Sequence, residues 1–175
     1  MVLLVIDTQI EIMNDSLYAY DVFVQNIKKL LTFAREHCVE VIYVRHDDGE
    51  GCALTQGKPT YEIDPRFAPK DNEKIFDKYV NSPFKESGLL SYLQSKNETE
   101  LIVTGLQSDY CINATILSGF EHGFQIYVPF YANTTCDNEF MRGEESYHYY
   151  NDMLWNGRYA TCLSIDETCE RMKKG

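Results

Sequence analysis

Short apolar runs alternate with amphipathic stretches along the whole chain. Residues 2–6 form an unbroken apolar run of strand length, and residues 21–37 follow with Ile27, Leu30, Leu31 and Ala34 on one helical face. A second strand is predicted over 40–44 and a third over 74–76, followed by a helix carrying Leu89, Leu90 and Leu93. Strands at 101–104 and 125–128 flank a helix on which Ile112, Ile116, Leu117 and Phe120 recur at helical spacing. Residues 144–155 read as a further helix, with Tyr149, Met153 and Leu154 as its core face, and 159–163 as the last strand. Strands buried on both faces and separated by helices predict a mainly parallel sheet, because each crossover is right-handed and covers a face. The expected fold is a three-layer α/β/α sandwich around a six-stranded sheet of order 3-2-1-4-5-6, with residues 1–175 as one domain.

One stretch breaks the pattern. From 46 to 70 the chain is rich in Gly, Asp and Pro, and an aperiodic segment this long in a compact domain is usually functional. It is expected to form a wall or lid of the site. Sixteen Lys and Arg against 27 Asp and Glu give a net charge of -11, which repels phosphate backbones and anionic lipid surfaces. Nucleic acid and membranes are therefore not expected as partners. The opening apolar run lacks the basic flank of a secretion signal. The six cysteines are accordingly expected as reduced thiols in a cytoplasmic protein, and no CxxC pair suggests a metal or a redox disulfide. Three Asn-x-Thr sequons, beginning at Asn97, Asn113 and Asn133, carry no glycan in that setting.

Candidate chemistry gathers where strand patterns end. Cys111 lies in Gly105-Leu106-Gln107-Ser108-Asp109-Tyr110-Cys111-Ile112, just after the fourth strand and in the first turn of the following helix, with Ser108 or Asp109 available as N-cap. A thiolate there gains from unpaired N–H groups and the helix dipole, which can lower a cysteine pKa to about 3.5–7.5. A nucleophilic thiol also needs a base and a positive group. Asp7 ends an otherwise apolar run, where a carboxylate is costly unless paired, and Lys78 lies among charged neighbours after the third strand. In open α/β sheets ligands bind beyond the carboxyl ends of the strands, where strand order reverses, so neighbouring first and fourth strands would bring Asp7 and Cys111 together.

Three segments, Val5-Ile6-Asp7-Thr8-Gln9, Lys78-Tyr79-Val80-Asn81-Ser82-Pro83-Phe84 and Thr104-Gly105-Leu106-Gln107-Ser108-Asp109-Tyr110-Cys111, resemble in order and spacing the isochorismatase-like cysteine hydrolases. The resemblance covers nearly the full chain. It implies Asp7 as base, Lys78 as stabiliser of the thiolate and transition state, and Cys111 as nucleophile. It also implies a non-proline cis peptide between Leu106 and Gln107, with the backbone N–H groups of Gln107 and Cys111 forming an oxyanion hole. The implied activity is hydrolysis of a C–N bond in a small carboxamide, carbamoyl compound or lactam through a Cys thioester. Members acting on isochorismate lack a nucleophilic cysteine at this position.

Nicotinamidases of the superfamily carry an Asp-x-His and a further His for a metal after the second strand. Here the stretch is Arg45-His46-Asp47-Asp48, and no other His follows until His122, so neither metal nor cofactor is expected. Gln9, His46, Phe84 and Tyr110 are candidate substrate contacts, and a homo-oligomer, a dimer or tetramer, is the expected assembly. The aromatic cluster Tyr147-His148-Tyr149-Tyr150 could line a pocket or a subunit interface. Asn133 stands where many family members have an acidic residue. Two alternatives stay open: a nicotinamidase-type amidase with unorthodox ligands, and a non-hydrolytic thiol redox sensor or ligand-binding protein on the same fold.

Overall fold

The computed structural model describes residues 1–173. Its strands are β1 (Val2–Ile6), β2 (Glu40–His46), β3 (Lys74–Lys78), β4 (Glu100–Leu106), β5 (Gln125–Pro129), β6 (Asn133–Thr134) and β7 (Thr161–Leu163). The helices are α1 (Tyr20–Glu36), α2 (Leu89–Ser95), α3 (Asn113–Glu121), α4 (Gly143–His148) and α5 (Ile165–Met172). A π-helical turn, Ser108–Ile112, leads into α3, and a second, Tyr149–Trp155, continues α4.

The two-residue period of a strand sorts the side chains into layers. β1 sends Leu3 and Val5 to one face, where Phe23, Ile27, Leu30, Leu31 and Ala34 of α1 and Cys169 and Met172 of α5 cover them. Val2, Leu4 and Ile6 face the other way, against Leu89 and Leu93 of α2, Ile116 of α3 and Trp155. Full burial of each such aliphatic side chain contributes about 1.5–3 kcal/mol, and all five β1 residues are inaccessible to solvent.

All strand pairs are parallel and the order is β3-β2-β1-β4-β5-β7, the order expected for the six principal strands. A seventh strand escaped the sequence pattern: β6 is two residues long, too short for a periodicity, and pairs with the end of β4. α5 also went unread, although Ser164 and Glu167 form a capping box at its start.

Other expectations need correcting. The 144–155 helix widens into a π turn after His148, and its buried positions are Ser146 and, four apart, Tyr147, Asn151 and Trp155; Tyr149 and Met153 are exposed. The 46–70 segment supplies wall residues, His46 and Leu54, and is packed down rather than poised as a lid. Tyr61, Ile63 and Phe67 are buried, Tyr43 Oη donates to Phe67 O (2.7 Å), and Asp64 N donates to Thr8 O (2.8 Å). Gly105 lies within β4, which runs past the expected 101–104. At φ +117° it lies so close to β1 that a Cβ would sit 2.0 Å from Ile6 O, so only glycine lets the two strand ends meet. Among the described residues no helix is long and apolar enough to cross a membrane.

Candidate active site

Four adjacent strands, β3, β2, β1 and β4, end in a row, and each delivers one polar side chain. Lys78 closes β3 and His46 closes β2, and the two are register partners, so they project from the same face. Asp7 follows β1 in a left-handed conformation (φ 52°), which aspartate tolerates better than most residues, with its N–H donating to Val44 O (2.9 Å). Cys111 comes from the π turn after β4, where Tyr110 N and Ile112 N both donate to Gln107 O (3.1 Å each). The peptide bond between Leu106 and Gln107 is cis. Neither Ser108 nor Asp109 caps the helix: Gln107 occupies the N-cap position, and Thr135 Oγ1 donates to Asp109 Oδ1 (2.6 Å).

Lys78 is the hub. Fully buried, its ammonium donates to Asp7 Oδ2 (2.8 Å), His46 Nδ1 (2.8 Å) and Cys111 Sγ (3.2 Å). An ammonium offers three protons and no acceptor, so its capacity is filled and His46 Nδ1 must accept. The other ring nitrogen, Nε2, faces Asp48 Oδ1 at 3.0 Å. Asp7 Oδ1 is buried with no hydrogen-bond partner, and Asp7 and Cys111 place donor atoms within 4.8 Å of one another. The thiol also donates to Asn81 Oδ1 (3.6 Å). Burial first, and then the Asp7 carboxylate, push the Cys111 thiol up to about 12, against the pull of Lys78. This reverses the low pKa expected from the helix terminus, because burial and the Asp7 carboxylate together outweigh the lowering by Lys78.

Asp7, His46 and Cys111 form a donor set spaced as for a metal ion. Lys78 Nζ already contacts all three, so a divalent cation would have to displace a buried ammonium. The residues present do not fit a metal.

Asp7, His46 and Cys111 open onto a cavity of about 160 Å³, completed by Ile12, Leu54, Asn81, Gln107 and Tyr110. The structure thus brings together Asp7, Lys78, Cys111, Gln107, His46 and Tyr110 of the residues singled out in the sequence. Gln9 and Phe84 are not brought to the cavity. The Gln9 amide is spent as a brace, donating to His46 O (3.0 Å) and Tyr61 O (2.8 Å) and accepting from His46 N (2.8 Å). Phe84 is buried against Phe124, ring centroids 5.7 Å apart, in the core beneath α3. Sequence reading missed Asn81, Ile12 and Leu54 as lining residues. Asn81 lay within a motif already quoted and Leu54 within the 46–70 segment expected at the site, whereas nothing in the pattern marks Ile12. Asn133 is explained by its partners: it accepts from Ser108 Oγ (2.6 Å) and exchanges amide hydrogen bonds with Asn151 (2.9 and 3.1 Å). A carboxylate could only accept there.

An open parallel sheet with a carboxylate, an ammonium and a thiol converging on a cavity at its switch point defines an α/β protein of the small-molecule enzyme class. The match is more specific than that: the isochorismatase domain model covers residues 1–144, and the chain belongs to the isochorismatase family of hydrolases. It is 30% identical to the isochorismatase family protein YddQ of Bacillus subtilis over 154 residues, 81% of this chain and 82% of that protein. It is 34% identical to N-carbamoylsarcosine amidase of an Arthrobacter species over 68 residues, 39% of this chain and 26% of that protein. The fold superimposes on a cysteine hydrolase from Pseudomonas syringae with a TM-score of 0.87 at 22% identity, covering 99% of this chain and 92% of the other.

Proposed function

We propose that the chain is a metal-independent cysteine hydrolase that cleaves the C–N bond of a small amide, with Asp7, Lys78 and Cys111 as catalytic residues. The observation that carries this reading is one buried ammonium held between a carboxylate and a thiol at the wall of a cavity. In the proposed sequence Asp7 takes the thiol proton and Cys111 Sγ bonds to the substrate carbonyl carbon, whose π pair moves onto oxygen. The backbone N–H groups of Gln107 and Cys111 are assigned to that oxyanion. The C–N bond then breaks as Asp7 passes its proton to the leaving nitrogen, releasing ammonia or an amine and leaving a thioester. Water attacks the thioester carbon, Asp7 takes a proton from it, and the proton returns to Sγ as the carboxylic acid leaves. The amidase named among the relatives supports a C–N bond as the target.

A thiol sensor needs an accessible cysteine of low pKa. Cys111 is buried and its pKa is raised, which opposes that alternative. The test is ammonia or amine release from a panel of small carboxamides, carbamoyl compounds and lactams by the wild type and by Cys111→Ala. Turnover by the wild type and none by Cys111→Ala is expected; turnover that survives in Cys111→Ala overturns covalent catalysis.

A further inference from the structure

The cavity is short of cations. Its side walls are the aliphatic Ile12 and Leu54 and the neutral amides Asn81 and Gln107, and among the described residues no Arg or Lys side chain lines it. The one ammonium behind it, Lys78, is inaccessible and has three acceptors for its three protons, so it cannot also bind a charged substituent of a ligand. Arg45, next in sequence to His46, is spent elsewhere: it donates to Asp77 (2.8 and 3.2 Å) and Glu62 (3.0 Å). Carboxylates, by contrast, are close at hand. Asp7 lines the cavity, and Asp48 faces the outer nitrogen of His46. The net charge of -11 adds a long-range field of the same sign.

We infer that the cavity takes small carboxamides whose acyl group carries no negative charge and rejects anionic ones, a specificity that rests on the hydrolase reading above. A carboxylate entering the cavity would lose much of its hydration and find no cation to pair with, which is costly for a buried charge. An ammonium substituent would meet the Asp7 carboxylate and, among the described residues, no cation on the lining. The volume of about 160 Å³ is close to that of an apolar protein cavity of roughly 150 Å³ that holds a benzene molecule, so the reacting end of the substrate is of that size.

Three compounds share the CH2–CH2–carboxamide skeleton and differ in the charge of the terminal group: butanamide, succinamate and 3-aminopropanamide, with 4-methylpentanamide, turned over like butanamide, as the neutral match to the size of succinamate. Wild-type kcat/KM for succinamate should fall at least about 100-fold below that for butanamide, with 3-aminopropanamide within about tenfold of it. Succinamate turned over as well as butanamide overturns the inference. Binding to Cys111→Ala and Cys111→Ser, followed by ligand-observed NMR, is read in parallel so that chemistry and recognition can fail separately. If no amide is hydrolysed yet these variants bind butanamide and not succinamate, the hydrolase reading fails and the charge selection stands. If they bind succinamate as tightly as butanamide, or bind neither, the charge selection is wrong.

Discussion

Replacing Lys78 by methionine keeps its length and shape but removes the charge that holds three groups together. Asp7, almost wholly inaccessible, is then left as a buried carboxylate with neither of its oxygens paired. Breaking a buried ion pair by deleting one partner costs about 3–5 kcal/mol, a large part of the roughly 5–15 kcal/mol that stabilises a typical domain. At about 2–4 °C per kcal/mol for a chain of this size, Tm should fall by roughly 6–20 °C. Asp7→Asn should cost a similar amount, because it strands the ammonium instead. The double variant Asp7→Asn/Lys78→Met removes both charges, and neutral replacement of a buried pair is often close to harmless, so it should regain at least half of either single loss. Urea unfolding at pH 7, followed by far-UV circular dichroism, measures the cycle. Losses that add to within about 0.5 kcal/mol would mean that the two residues do not feel each other, and the exchange of a proton between the members of this cluster would lose its physical basis.

Cys111 and Cys162 are both pushed up to about 12 by burial, well above an unfolded value near 9. A folded-state pKa above the unfolded one gives stability that is complete below about 9 and is lost as pH rises through the window to about 12, so Tm should decline over that range. Cys162→Ala should flatten the decline, and a wild-type Tm unchanged from pH 8 to 11 would contradict it. Gln9→Ala, which strands backbone groups of His46 and Tyr61, should cost about 1–3 kcal/mol in unfolding measurements and show more in Tm than in KM. Dialysis against a strong chelator should leave amide hydrolysis unchanged, and activity restored only by an added divalent metal would refute the account of Lys78 as the resident cation.

Most of the architecture was legible because it depends on burial, which leaves a periodic trace. The run from Val2 to Ile6, the α1 face through Ile27 and Leu31, and the β4 run through Val103 each announce an element, and the helices between the strands imply parallel pairing by right-handed crossovers. β6 left no such trace, being two polar residues, and the π turn after His148 shifted the buried face to Tyr147, Asn151 and Trp155. The main site residues were legible for a different reason: Asp7, Lys78 and Cys111 each follow or end a strand, and parallel topology gathers strand ends. Gln9 and Phe84 misled because position near a motif says nothing about which way a side chain turns. His46 was placed at the site, but its contact with Lys78 depends on the β2–β3 register, which no single strand reveals.

The raised thiol pKa and the buried carboxylate together explain how a proposed nucleophile can rest inside a folded core. With the proton on sulfur, Lys78 neutralises Asp7 and the cluster holds one positive and one negative charge. In the proposed mechanism Asp7 takes that proton, the negative charge moves to Sγ, 3.2 Å from the same ammonium, and the net charge is unchanged. The costly event, creating an unpaired thiolate in a desolvated cavity, is thereby avoided, because the counter-ion is in place before the anion forms. Any substitution that moves Nζ away from its position between the two acidic groups should therefore damage the chemistry even where it leaves the fold intact.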